Sequence, residues 1–172
     1  RMTGATVNTN ASTVNKKDSG AVFATGAGTV VTLDRTSTPS TPNISITGVK
    51  LTDGIRYVGF GLFSESGAKI NAKYNNIEIK NGSSGIVSIG SVSETDFTGG
   101  KLKVDGYGYA AYSDGAGKIN LSSATLILEG HSSAFDIDMM IPPAASPITV
   151  DGSTQIVVNS DDAIVFRLKN AN

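Results

Sequence analysis

One pattern recurs through the chain and limits what it can fold into: a small residue followed by an apolar pair. It stands at Gly20-Ala21-Val22-Phe23-Ala24, Gly61-Leu62-Phe63-Ser64, Gly85-Ile86-Val87-Ser88, Ala110-Ala111-Tyr112-Ser113, Ala134-Phe135-Asp136 and Ala163-Ile164-Val165. Marked by Val22, Leu62, Ile86, Ala111, Phe135 and Ile164, the separations are 40, 24, 25, 24 and 29 residues. Three consecutive steps agree within one residue, and a period in that range with strand-like content is the signature of a stacked solenoid. A sandwich places strands every 8 to 12 residues without a larger repeat.

Within one period three short runs alternate apolar with polar. In Gly115 to Met139 they are Lys118-Ile119-Asn120-Leu121, Thr125-Leu126-Ile127-Leu128 and Ala134-Phe135-Asp136-Ile137. Alternation gives each run one dry and one wet face, and three dry faces closed on one another make one turn of a coil. A second set of runs comprises Gly28 to Leu33, Ala68 to Ala72, Gly100 to Val104, Gly117 to Leu121 and Ile148 to Val150. A third comprises Asn43 to Thr47, Asn76 to Lys80, Thr125 to Leu128 and Gln155 to Val158. The turn from Val104 to Tyr112 lacks a third run and reads as irregular. The expected fold is all-β: a parallel β-helix (β-solenoid) of about six turns with three short strands per turn and almost no helix, a rod of about 30 Å at the usual strand spacing. Residues 1–17 read as a lead-in or an irregular first turn, and residues 18–172 as a single β-helix segment.

Three stretches depart from the repeat: Asp34 to Asn43, Ser91 to Thr98, and Met139 to Pro147. Pro39 and Pro42 in the first, and Pro142, Pro143 and Pro147 in the last, have no N–H to give a ladder, so both read as loops thrown out of a turn. Loops on a rigid scaffold are where recognition residues sit. Met139, Met140 and Ile141 form the apolar run that is the candidate partner-contact loop or, folded back, a cover over an adjacent sheet.

Charge narrows the partners. With 14 basic and 15 acidic residues and no block of like charge, the chain has no field to gather nucleic acid or an anionic membrane. No run reaches the eighteen or more apolar residues of a membrane helix, so direct membrane insertion by this segment is not expected. There is no cysteine, which removes disulfides and thiolate metal sites.

Two carboxylate pairs have the residue type that glycosidase chemistry uses. Asp136 and Asp138 share a face at i and i+2, and Asp161 adjoins Asp162, but the Gly-His-Gly and Arg-Ile-Lys that accompany the aspartates of pectinase-type β-helices are missing. The expectation is that Asp136 and Asp138 form the solvated face of a strand whose inward residues are Phe135 and Ile137. His131, the single histidine, stands in a Gly-Ser corner and reads as an exposed polar residue. Tyr107, Tyr109 and Tyr112 read as packing, with sugar stacking as the functional alternative. No catalytic residue, cofactor or metal is expected.

The small-apolar-aromatic-Ser runs continue as Glu65-Ser66-Gly67-Ala68-Lys69-Ile70 and Asp114-Gly115-Ala116-Gly117-Lys118-Ile119. This resembles the degenerate repeats of autotransporter (type V secretion) passenger domains, especially large adhesin passengers of fusobacterial type, over roughly residues 18–168. The resemblance implies a right-handed parallel β-helix displayed on the cell surface, anchored through an outer-membrane barrel outside this sequence. It also implies a piece of a longer passenger that is not an enzyme and adheres to a host or bacterial surface protein or glycan. A β-helical polysaccharide hydrolase, lyase or tailspike-like glycan-processing domain, and a purely structural stalk, are the alternatives.

Overall fold

The computed structural model describes residues 2–3, 7–10, 20–50, 57–82, 84–114, 116–138 and 147–169. Strands arrive in threes. The first turn holds β1 (Met2–Thr3), β2 (Val7–Asn10) and β3 (Gly20–Thr25); the second holds β4 (Val30–Asp34), β5 (Ile44–Thr47), a small hairpin of β6 (Val49–Lys50) and β7 (Tyr57–Val58), and β8 (Phe60–Glu65). The third turn is β9 (Lys69–Lys73), β10 (Asn76–Lys80) and β11 (Ser84–Ile89); the fourth is β12 (Glu94–Thr98), β13 (Lys101–Asp105) and β14 (Gly108–Ser113). The fifth is β15 (Lys118–Ser122), β16 (Thr125–Glu129) and β17 (Ser132–Asp138), and the sixth is β18 (Ile148–Val150), β19 (Gln155–Val158) and β20 (Ile164–Lys169). No helix occurs among the described residues.

Each strand pairs in parallel with its counterpart one turn away. The first sheet runs β1-β4-β9-β12-β15-β18, the second β2-β5-β10-β13-β16-β19, and the third β3-β8-β11-β14-β17-β20. The fold is therefore a parallel β-helix of six turns. Alternation along each strand sends every second side chain inward, and register stacks those side chains into columns. One column in the second sheet is Ile44, Ile77, Leu102 and Leu126, all at most 2 % exposed. In the third sheet the column is Val22, Leu62, Ile86, Ala111 and Phe135.

The small residue of the repeat now has a cause. At Gly61 and Gly85 the residue before the inward apolar one also faces the core: a Cβ on Gly85 would lie 2.5 Å from Leu102 Cδ1 and 2.8 Å from the Ala110 carbonyl oxygen. The third sheet bends there against the second, leaving room for nothing larger than the Ala110 and Ala134 found in later turns. Some inward positions are polar, and at one corner they bond to one another, which offsets the cost of burying them. The Ser64 hydroxyl donates to Ser88 Oγ at 3.1 Å and lies 3.0 Å from Thr95 Oγ1, at the corner joining the third sheet to the first.

Three expectations change. Ser91 to Thr98 is not a departure: Ser91 to Ser93 is a corner, and Glu94–Thr98 is the first-sheet strand β12, with Thr95 and Phe97 fully buried. Consequently Lys101–Asp105, read above as a second-set run, belongs to the second sheet beside Asn76–Lys80, and the fourth turn is complete. The last repeat is out of step by two residues, since Phe135 stacks on Phe166 and Ile164 pairs with Ser133. The Asp161-Asp162 turn stands just before that strand. Residues 1–17, for which a lead-in and an irregular first turn are the two readings, carry two paired strands, Val7 against Ile44 and Met2 against Leu33.

Asp34 to Asn43 does leave the coil, but it lies back against it. The Thr38 hydroxyl donates to the Gly99 carbonyl, and Asn76 Nδ2 donates to the Pro39 carbonyl at 2.8 Å. Asn43 and Asn75 clasp the corner beneath it, Asn43 Nδ2 donating to Asn75 Oδ1 at 3.0 Å. The long first step also contains the β6–β7 hairpin, which the proline content of the loop did not announce.

Candidate functional site

With the core committed to stacking, any recognition falls to the outward rows, and the three sheets differ there. On the first sheet the row is polar. Lys69 Nζ stands 3.1 Å from Glu94 Oε2 and 2.9 Å from Asp96 Oδ2, while Asn120 Nδ2 donates to Glu94 and Asp96 at 2.7 Å each. The hydrogen bond to Asp96, then that to Glu94, raises the Lys69 pKa above the ordinary lysine value. These two carboxylates are spaced at i and i+2 like a hydrolytic pair, but both are occupied by the same two neighbours. The second sheet is also charge-paired: Lys103 Nζ lies 2.8 Å from Glu129 and 3.8 Å from Glu78.

The third sheet is different in kind. Its outward row reads Phe23, Phe63, Val87, Tyr112, Asp136, Arg167 from turn to turn. Phe23 and Phe63 rings lie 5.2 Å apart, and Phe60 sits 4.7 Å from Phe63, over a glycine, Gly20, where a Cβ would collide with it. Further along, Tyr109 and Tyr112 lie 6.3 Å apart, and Arg167 Nη1 donates to the Tyr109 hydroxyl at 3.2 Å. At the corner leading into this sheet, Tyr107 and His131 stack with centroids 4.9 Å apart and planes at 22°. His131 Nδ1 stands 3.7 Å from Asp162 Oδ2. Eight of the eleven aromatic residues belong to this sheet or that corner, and Phe23 and Tyr107 are 52 % and 43 % exposed.

The sequence candidates fall out as follows. His131 is exposed at its corner, as expected, and so are Asp161 and Asp162. Tyr107 stacks on His131 and keeps 43 % of its surface exposed. Asp136 is not on a solvated face, for its exposure is 0 %. It stands between two longer side chains, Tyr112 and Arg167, in the turns on either side. A buried aspartate cannot flank a polysaccharide bond, which weakens the carboxylate pairing with Asp138. Met139, Met140 and Ile141 lie outside the described residues.

The phenylalanine half of the surface, Phe23, Phe60 and Phe63, was not singled out from sequence. The signal was there in the residue following each inward Val22 or Leu62, an apolar side chain at an outward position. Among the described residues no cluster of three His, Cys, Asp or Glu side chains is arranged to hold a metal. A shallow hollow of about 380 Å³ at the corner between the third and first sheets, bordered by Ala27, Glu65, Ser66 and Val92, is open to solvent. Among the described residues no helix is long and apolar enough to cross a membrane. No family model, curated protein or solved structure matches the chain.

Proposed function

We propose that this chain is a non-enzymatic segment of a surface-displayed autotransporter passenger, and that it contributes to adhesion through the outer face of its third sheet. The observation that carries the reading is the contrast between outward rows. Two are polar and charge-paired, as a wet solenoid face requires, whereas the third carries Phe23, Phe63 and Tyr112 in its outward row with Tyr107 at the adjoining corner, where the coil does not need them. Exposed planar rings on a rigid β-scaffold suit CH–π stacking with a glycan or insertion into a protein partner. The repeat pattern carries the assignment to a passenger, displayed on the cell surface through a barrel outside this sequence.

The test is a screen of glycans and host-cell proteins with the wild-type chain and with Phe23→Ser and Tyr107→Ser, both at exposed positions. Binding that falls in either variant while the circular dichroism spectrum holds supports the reading. Binding indifferent to both moves the contact elsewhere, and no binding at all leaves the chain a stalk. Turnover of any polysaccharide in the screen would refute the non-enzymatic assignment.

A further inference from the structure

The corner from the first sheet to the second takes two residues in the third, fourth and fifth turns: Tyr74-Asn75, Gly99-Gly100 and Ser123-Ala124. In the second turn the same bend, from β4 to β5, runs from Arg35 to Asn43, far more chain than the coil needs there. The extra residues are of one kind. Thr36, Ser37, Thr38, Ser40 and Thr41 bring five hydroxyls, with Pro39 and Pro42 among them. Ser and Thr crowded together with proline is the composition of segments that carry O-linked sugars. The insertion is also pinned in place. The Thr38 hydroxyl donates to the Gly99 carbonyl, and Asn76 Nδ2 reaches the carbonyls of Pro39 and Ser40 at 2.8 and 3.4 Å. Each proline restricts the threonine before it, Thr38 or Thr41, to extended backbone. Held this way, Thr38 and Pro39 are half-buried against the coil, while Thr36, Ser37, Ser40 and Thr41 are exposed.

We infer that these four exposed hydroxyls form an O-glycosylation site, the acceptor of sugar from a nucleotide-activated donor brought by a transferase. The hydroxyl oxygen attacks the anomeric carbon and its proton passes to a base of the transferase. The bond from that carbon to phosphate breaks, and its electron pair leaves on the nucleoside diphosphate. Geometry favours this loop over the many hydroxyls on the sheets. An outward Ser45 stands between Asn8 and Glu78 of the adjacent turns, and Thr98 between Lys73 and Ser122, each neighbour about 4.8 Å away. A pyranose with its own hydroxyls is wider than that spacing, whereas a loop standing outside the coil receives it without displacing a neighbour. Charge favours sugar over phosphate. A phosphorylated side chain is stabilised by several basic partners, and Arg35, the one basic residue of the stretch, lies at the far end from Ser40 and Thr41. A neutral sugar needs no counter-ion. The site is separate from the aromatic face of the third sheet and does not depend on adhesion there.

Mass spectrometry of the protein isolated from the cells that make it tests this. Trypsin cuts after Arg35 and Lys50 and releases the loop in one peptide, Thr36 to Lys50. That peptide should be heavier than its sequence by whole sugar residues, and the excess should be lost in alkali, which eliminates O-linked sugar from Ser and Thr. Electron-transfer fragmentation should place the sugar on Thr36, Ser37, Ser40 or Thr41 and leave Ser45, in the same peptide, bare. The combined variant Thr36→Ala, Ser37→Ala, Ser40→Ala and Thr41→Ala, made in the same cells, should lose the excess with its circular dichroism spectrum unchanged. Should that variant fail to fold, the fragment map of the natural protein decides the matter alone. A peptide of unmodified mass, phosphate increments in place of sugar, an excess that survives the alanine changes, or sugar on Ser45 as readily as on the loop overturns the proposal.

Discussion

Replacing Phe97 with alanine separates a strand from a loop at the place where sequence pattern and structure disagree most. Phe97 is fully buried on β12, stacked between Ala72 and Leu121 in the turns on either side. Its ring also fills the space over Gly100, where a Cβ would lie 2.4 Å from Phe97 Cζ. Neither Ala72 nor Gly100 has atoms with which to fill the void left by the ring, and the stacked sheets hold the backbone apart. The expected cost is at the upper part of the range for burying and then deleting a phenylalanine, about 3–5 kcal/mol. With a urea slope of about 2 kcal/mol/M, that moves the unfolding midpoint down by about 2 M. The control is Thr98→Ala, half-buried on the outward side of the same strand, expected within about 0.5 kcal/mol of wild type. Urea titration followed by circular dichroism measures both. Equal, small effects for the two variants would refute the placement of β12 in the first sheet, because a residue in a surface loop has no column to vacate.

Three further outcomes are expected. Gly85→Ala should lower stability by about 1–3 kcal/mol through overpacking against Leu102 and the fixed Ala110 carbonyl, whereas Ala110→Gly should cost under about 1 kcal/mol; differential scanning calorimetry distinguishes them. The Lys103–Glu129 pair should stabilise a plateau of pH and lose its contribution at both ends. The hydrogen bond from Lys103 holds the Glu129 pKa below the ordinary carboxylate range, so its share is present above that range and lost as pH falls through the depressed value. The hydrogen bond to Glu129 likewise raises the Lys103 pKa, so that share is present below the ordinary lysine value and lost as pH rises through the elevated one. Both groups are over a quarter exposed, so Glu129→Gln should remove under about 1 kcal/mol at neutral pH, less in high salt, and flatten the acid limb of a stability–pH curve. Asp151 accepts hydrogen bonds from the Ser123 amide at 3.0 Å and the Thr154 hydroxyl at 2.8 Å, clasping the sixth turn to the fifth, so Asp151→Ala should speed amide hydrogen exchange at Ser123 and Ser153 while leaving the third turn unchanged.

What the sequence discloses follows from how the coil is built. Strands such as Lys118–Ser122 and Asn76–Lys80 alternate large aliphatic with polar residues, so their faces and their repeat are visible without a structure. Glu94–Thr98 hides because one of its two inward residues is Thr95, whose burial depends on a hydroxyl bond to Ser64 in a neighbouring strand 31 positions away. No local pattern encodes that partner. The slip at Ile164 has the same origin: Ala163-Ile164-Val165 imitates the repeat, and only stacking against Phe135 shows that Phe166 holds the column. The candidate surface was half visible. Tyr107, Tyr109 and Tyr112 stand out in the sequence as a cluster, but their outward placement, the stacking on His131 and the link to Phe23 and Phe63 arise from register between turns. The burial of Asp136 is hidden for a similar reason, since alternation predicts which way a side chain points and is silent on how tall its neighbours are.

The central claim is that residues one repeat apart are lateral neighbours in parallel register, and engineered disulfides test it cleanly in a chain with no cysteine of its own. Glu78 and Lys103 are register partners on the outward side of the second sheet, and Ile127 is the next residue in that row. Adjacent parallel strands stand about 4.8 Å apart, within disulfide reach, while two turns place α-carbons about 9.6 Å apart and beyond it. Air oxidation followed by peptide mass mapping should therefore find a bond in the Glu78→Cys/Lys103→Cys chain and none in the Glu78→Cys/Ile127→Cys chain. A bond in the second chain and none in the first would contradict the parallel β-helix.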